Sequence, residues 1–126
     1  MRVATFAVKD ENGAKADVSV VKLGGMAGGL LANVNRWRSQ MGLEPVDQAG
    51  LDKLISSRDV KGTKVIVVDM AGRSVESGNP SRLVAAIVPR SGVTWFYKML
   101  GNDQLVSQQK AAFIQFVESA RYPNVS

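Results

Sequence analysis

Two short apolar runs constrain the fold of this chain more than any other feature. Residues 64–70 read KVIVVDM and residues 82–88 read RLVAAIV. Apolar residues stand at consecutive positions in both runs, so an extended backbone would be apolar on both faces. Strands of this kind lie centrally in a sheet and are covered on both sides. The two runs therefore predict a layered domain in which helices pack on both faces of a sheet.

The remaining segments complete a predicted order of β-β-α-α-β-β-β-α. Further strands are expected over 2–8, 16–23 and 93–100, and Asn12-Gly13 is a hairpin signal between the first two. Apolar residues at helical spacing predict helices over about 30–41, 47–62 and 102–120. The predicted fold class is α+β, with an antiparallel sheet of about five strands and helices on both faces.

Helix-end residues support these boundaries. Gly42 is placed to end the first helix, because glycine readily adopts the left-handed conformation that follows a helix. Asp47 and Asn102 are expected to cap the second and third helices through their side-chain oxygens. Residues 71–80 are rich in Gly, Ser and Asn, which predicts a loop.

Length and composition narrow the possible functions. The 126 residues are predicted to form a single domain, 1–126. The chain has neither Cys nor His, and so lacks the commonest general base and the commonest transition-metal ligand. No group of carboxylates has the spacing of a metal site. These observations predict a domain that is not an enzyme and has no cofactor and no metal; a hydrolase built from unusual residues is the least favoured alternative.

The charge is moderately basic. Sixteen Lys and Arg residues against eleven Asp and Glu give a net charge of +5. The basic residues are spread along the chain, without the run that marks a nucleic-acid or membrane tail. No segment is apolar for long enough to span a bilayer. The charge favours an acidic partner, with another protein preferred over nucleic acid.

A glycine-rich segment precedes the first predicted helix. Gly24, Gly25, Gly28 and Gly29 occupy four of six positions there. The backbone N–H groups of a helix that starts after them could bind an anion. The segment matches neither a Walker A loop nor a dinucleotide-binding fingerprint. The alternative is a strand-to-helix turn that needs glycine only for its conformation.

The first helix bears a group of polar side chains. Asn33, Asn35, Arg36 and Arg38 follow the glycines within about two turns, and the guanidinium group suits a carboxylate or phosphate. Trp37 belongs to the apolar stripe of the same helix and is predicted to be buried. The alternative is a solvated face on which an arginine pairs with a nearby acid. The predicted binding residues are Gly24, Gly25, Gly28, Gly29, Asn33, Asn35, Arg36 and Arg38.

Asp69 is the one acid within the apolar run 64–70. It is either a buried carboxylate with a raised pKa or the end of the strand, bonded to the turn at Ala71-Gly72.

Three segments together resemble a group of uncharacterised bacterial domains that often follow an export or lipoprotein segment. They are RVATF at 2–6, GG…LANVNRWRSQMGL within 24–43, and TWFYKMLG at 94–101 running into LVSQQKAAFIQFVES. The last pattern is also similar to the PsbP-like fold, an α/β/α sandwich. That fold includes the extrinsic PsbP proteins of photosystem II and a eukaryotic nuclear-import factor that binds a small GTPase.

The resemblance implies a protein-binding domain rather than a catalyst. It also implies a periplasmic or membrane-anchored location through an N-terminal segment, with a cytoplasmic location left open. The chain opens directly on a strand and lacks the opening strand of PsbP-like domains, so we expect it to be trimmed from a longer protein. Two functions follow as hypotheses: a protein-interaction or ligand-binding domain, or a module that binds phosphate, nucleotide or single-stranded nucleic acid.

Overall fold

The computed structural model describes residues 2–11, 13–24, 29–90 and 92–120. Within these residues the chain is α+β, with six strands and three helices. In chain order they are β1 (Arg2–Lys9), β2 (Lys15–Gly24), α1 (Gly29–Gln40), α2 (Gln48–Leu54), β3 (Ile55–Val60), β4 (Thr63–Arg73), β5 (Pro80–Arg90), β6 (Val93–Asn102) and α3 (Asp103–Ser119).

The strands form one antiparallel sheet in the order β1-β2-β6-β5-β4-β3. Strands β3 to β6 are a meander in which each strand pairs with the next. The two helices between β2 and β3 carry the chain to the far edge, so the meander returns to β2. That return pairs β2 with β6, and Val18 lies opposite Met99. Strands β1 and β3 are therefore the two edges of the sheet.

Helices cover both faces of the sheet, as the two-sided apolar runs predict. Helix α3 packs on one face, while α1 and α2 pack on the other. Strand β5 lies at the centre and alternates between the two cores: Val84 faces α3, whereas Leu83 faces α1. Both side chains are fully buried. None of the described helices is long and apolar enough to cross a membrane.

The prediction of about five strands was wrong by one strand. Residues 55–60, assigned by sequence to the second helix, form β3, and α2 ends at Leu54. The four central residues of β3 are exposed and only Ile55 and Val60 are partly buried, each toward a different core. Because the central side chains of this edge strand are exposed on both faces, the segment is polar throughout. It therefore lacks the alternation of apolar and polar residues that marks a half-buried strand in a sequence.

The predicted helix caps are confirmed, but the end predicted for the second helix is a turn between two strands. Lys61 and Gly62 both have positive φ, 52° and 82°, and join β3 to β4 in a two-residue hairpin turn. Asp47 accepts a hydrogen bond from the Gly50 N–H at 2.9 Å, and Asn102 accepts one from Leu105 N–H at 3.0 Å. Both are the helix caps that their sequence positions indicate.

The end of α1 is also as predicted. Gly42 has φ +66°, and the N–H groups of Gly42 and Leu43 donate to the carbonyls of Ser39 and Arg38. This pattern is a Schellman motif, which satisfies carbonyls at the helix end. The Met41 carbonyl then accepts a hydrogen bond from the Arg73 N–H at 3.0 Å, which ties the end of α1 to β4.

The loop between β4 and β5 is shorter than the predicted 71–80. Strand β4 extends to Arg73 and β5 begins at Pro80, so only 74–79 lie outside the sheet. Gly72 lies in this extended part of β4, next to the end of α1. A Cβ at that position would overlap the Met41 carbonyl, so only glycine allows the strand to pass so close to the helix. The glycine therefore serves a close approach of helix and strand rather than a loop.

Asp69 lies within β4 rather than at its end, on the face that α3 covers. Its carboxylate accepts hydrogen bonds from Arg82 and Lys110, each at 2.7 Å, and Arg82 also donates to Asp103 at 2.7 Å. Burial raises the pKa of Asp69, but the hydrogen bonds from Lys110 and Arg82 and their charges outweigh it, so the pKa is lowered. The expectations of a raised pKa and of a bond to the following turn were wrong.

We expect Asp69→Asn to destabilise the domain by about 2 kcal/mol at neutral pH, because hydrogen bonds to charged groups are lost. A depressed folded-state pKa contributes stability above the unfolded pKa and loses it as the pH falls through the folded value. The difference in the free energy of unfolding between wild type and variant should therefore have its full size at pH 7 and become smaller below about pH 4. Urea unfolding followed by circular dichroism at both pH values measures it; a pH-independent difference would contradict this account.

Candidate functional site

The glycine-rich segment leads from β2 into α1. Gly24 is the last residue of β2, and Gly29 is the first residue of α1 with φ +79°. Gly25 and Gly28 lie outside the described residues. The amide nitrogen of Asn33 donates to the Gly29 carbonyl at 2.8 Å. Gly29 thus supplies a left-handed conformation at the start of the helix, and Asn33 stabilises its first turn.

Two of the predicted binding residues hold the segment that follows α1. The Asn35 side chain accepts from the Val46 N–H at 2.8 Å and donates to the Val46 carbonyl at 2.9 Å. The Nε of Arg38 donates to the Glu44 carbonyl at 2.6 Å. In the structure, Asn35 and Arg38 therefore bind the connection between α1 and α2. The local partner of Arg38 is a backbone carbonyl, whereas the sequence suggested a carboxylate.

Arg36 is placed differently, at a cleft between α1 and the sheet. The side chain is exposed and makes no ion pair with any described residue. The cleft has a volume of about 190 Å³. We call it the α1 cleft; its lining residues are Ser19 and Val21 from β2, Asn33, Arg36 and Trp37 from α1, and Phe96 and Lys98 from β6.

Trp37 anchors α1 at this cleft. Its side chain is only 3% exposed and belongs to the core between α1 and the sheet, as the apolar stripe predicts. The ammonium group of Lys98 lies 5.8 Å from the centroid of the Trp37 ring, within the range of a cation–π interaction. The buried indole thereby holds a second cation beside Arg36.

Lys98 is a site residue that the sequence analysis missed. It lies opposite Ser19 across the β2–β6 pairing. Alternation along β6 places Lys98 on the same face as Phe96, toward α1. The sequence shows the alternation along β6, but it does not show that β6 pairs with β2, because the two strands are about 80 residues apart in the chain.

The chemistry of the α1 cleft suits an anionic group. Arg36 and Lys98 contribute two positive charges, and Ser19 and Asn33 carry hydroxyl and amide groups at the lining. No carboxylate is among the described lining residues. Groups of His, Cys, Asp and Glu that could hold a metal ion are absent from the part of the chain that the structure describes. The arrangement offers hydrogen-bond donors and positive charge.

Comparison with known proteins identifies a shared fold. No family model matches the chain, and no curated protein matches it. Among solved structures, the chain is similar to the crystal structure of PA94 from Pseudomonas aeruginosa, a protein of unknown function described as a candidate regulator. The TM-score is 0.63 and the sequence identity 9%, over 97% of this chain and 83% of PA94. At that identity, the likeness shows that the two proteins share an α+β fold and nothing further.

Proposed function

We propose that this chain is a non-catalytic binding domain whose α1 cleft takes an acidic group of a partner protein. The observation that supports this most is the position of Arg36, exposed and without an ionic partner among the described residues, beside Lys98 at one cleft. Arginine forms charge-assisted hydrogen bonds to carboxylates in a planar, paired geometry. An acidic side chain would complete the site.

The size of the cleft favours part of a macromolecule over a whole small molecule. Pockets for drug-sized ligands and cofactors measure roughly 300–1,000 Å³. The α1 cleft, at about 190 Å³, has room for one side chain or one small anion.

The PsbP-like relationship and an exported or membrane-anchored location are also part of this proposal. Both are supported by the resemblance of the sequence motifs to those of other proteins.

The proposal predicts that binding of an acidic probe depends on two side chains. We expect a hexaglutamate peptide to shift the NMR signals of the Trp37 indole N–H and the Arg36 side chain. Arg36→Ala and Lys98→Ala should each weaken binding roughly tenfold, since a hydrogen bond to a charged group contributes about 1.5 kcal/mol or more. Hexalysine should cause no such shift.

The matched control is Lys53→Ala, which removes an exposed cation from the last turn of α2, outside the cleft. It should leave the affinity for hexaglutamate within twofold of wild type. If all three variants bind equally, or if the peptide shifts signals elsewhere on the surface, the α1 cleft is not the contact site.

A second candidate function, an anion-binding module, is favoured by the same pair of cations. Inorganic phosphate and a short oligothymidylate test it in the same titration. Phosphate contacts weaken steeply with added salt. Because Trp37 is buried, a base has little aromatic surface to stack on in the cleft. We therefore expect the oligonucleotide to bind no more tightly than hexaglutamate.

A further inference from the structure

The two edge strands of the sheet, β1 and β3, differ in the side chains that they expose to solvent. In β1, residues Ala4 to Ala7 are all exposed, and no charged residue occurs from Val3 to Val8. An edge strand presents unpaired backbone N–H and C=O groups, so an uncharged edge is a template for another strand. The pairing of β1 with β2 is irregular only between Arg2 and Ala4, which leaves residues 4–9 as a regular strand.

The opposite edge, β3, is protected against such pairing. Its central residues are Ser56, Ser57, Arg58 and Asp59, all exposed. Arg58 also forms an ion pair with Glu118 of α3. Polar and charged residues at an edge disfavour the addition of a further strand. The contrast indicates that β1, and not β3, is the edge that a further strand can join.

An apolar groove lies beside β1 on the face that α3 covers. Phe6 and Phe116 are 45% and 44% exposed, and they are the exposed aromatic side chains among the large apolar residues that the structure describes; Val75, also exposed, lies in the loop 74–79. Their rings are 6.1 Å apart in an edge-to-face arrangement, and Phe116 also contacts the buried Tyr97 ring at 6.0 Å. The groove between them has a volume of about 200 Å³, and Val8 and Phe113 also line it.

We infer that β1 is the interface of a symmetric homodimer, in which β1 of a second copy adds antiparallel to it and extends the sheet. A two-fold axis perpendicular to the sheet places α3 of both copies on the same side of the extended sheet. Directly opposed residues point to the same side of a sheet, and side chains alternate along each strand. Two opposed residues must therefore both have even numbers or both have odd numbers, so that their numbers sum to an even value. The register through Phe6 brings the two exposed phenyl rings together, with Ala4 opposite Val8 and Thr5 opposite Ala7.

Self-complementarity favours a second copy as the occupant. Residues 4–8 contain no charge, so the proposed register brings no like charges together. Each copy adds Phe6 and Phe116, and the four rings would form one cluster across the two-fold axis. The ring cluster lies on the sheet face opposite the α1 cleft, and the backbone pairing is at the sheet's edge, so the interface does not depend on the function proposed for the cleft.

Charge placement at positions 5 and 7 tests both the dimer and its register. Thr5 and Ala7 are exposed, on the face away from Phe6. The variant T5K/A7K puts like charges opposite each other in the proposed register, whereas T5K/A7E puts opposite charges there. We expect analytical ultracentrifugation to show a concentration-dependent dimer for wild type and for T5K/A7E, and a monomer for T5K/A7K. Circular dichroism should show all three folded.

Three results would overturn the inference. A monomeric wild type at all concentrations rules out the homodimer. A dimer that survives in T5K/A7K places the interface elsewhere. Loss of the dimer in both double variants rules out the Phe6 register.

A cysteine cross-link provides an independent measurement, because the natural sequence has no cysteine. Opposing residues of an antiparallel pair have Cα atoms about 4.5–5.5 Å apart, within reach of a disulfide. Phe6→Cys should therefore give a disulfide-linked dimer on mild oxidation. The control Ser57→Cys, on the protected edge β3, should form no disulfide-linked dimer, because β3 lies outside the proposed interface; equal cross-linking of both variants would contradict the model.

Discussion

Gly101→Ala should be among the most destabilising single substitutions in this domain, with an expected loss of about 3 kcal/mol. Gly101 lies on the central strand β6, opposite Ala16 of β2 on one side and Arg82 of β5 on the other. A Cβ there would overlap the carbonyl oxygen of Lys15 and the Cα of Ala16. Both are backbone atoms, so they cannot move aside without opening the pairing of β2 with β6.

Thermal unfolding followed by circular dichroism measures this loss, which corresponds to a fall in Tm of roughly 10 °C. Gly78→Ala is the matched control. Gly78 has φ +74° in the exposed loop 74–79, and a Cβ there meets nothing within 4 Å. Its substitution carries only the strain of the left-handed conformation, about 1 kcal/mol. If Gly101→Ala loses no more stability than Gly78→Ala, the close approach of β2 and β6 does not exclude a side chain at position 101.

Trp37→Ala should have an effect of the same size or larger, about 3–5 kcal/mol, because it removes a buried aromatic side chain and leaves a cavity. The indole fills the space between α1 and the sheet and also faces Lys98. We therefore expect the variant to lose affinity for an acidic probe as well as stability. Trp37→Phe keeps an aromatic face, and should retain more of both.

The control is the second tryptophan, Trp95, which is only partly buried on the α3 face. Trp95→Ala should lose less stability and leave the α1 cleft unchanged. Urea unfolding is best followed by circular dichroism, since each variant removes one of the two fluorescent indoles. Equal losses for Trp37→Ala and Trp95→Ala would show that Trp37 does not have the anchoring role assigned to it.

Local signals in the sequence predicted most of the elements. The apolar run at 82–88 indicated a strand buried on both faces, and Leu83 and Val84 of β5 are buried in opposite cores. Asp47 and Asn102 cap the helices that their positions indicate. These features depend on residues within a few positions of one another, so a short stretch of chain contains the whole signal.

The failures share a different cause. Residues 55–60 were included in the second predicted helix because they lack the alternation of a strand, whereas in the structure they pair with β4. Asp69 was expected to have a raised pKa because it follows apolar residues, but Arg82 and Lys110 reach it from β5 and α3. In each case the deciding partner belongs to another element of the fold, so the residue pattern within the segment itself does not report it.

The candidate site divides in the same way. Sequence periodicity predicted a helix with Arg36 outward and Trp37 inward after a glycine-rich segment, because helical spacing is enough to separate the two side chains. Three features are visible only in the folded chain: Asn35 and Arg38 bind the connection to α2, Lys98 lies with Arg36 at the α1 cleft, and β1 is an exposed edge. The last two features depend on the return of the meander to β2, because that return pairs strands that are remote in the chain.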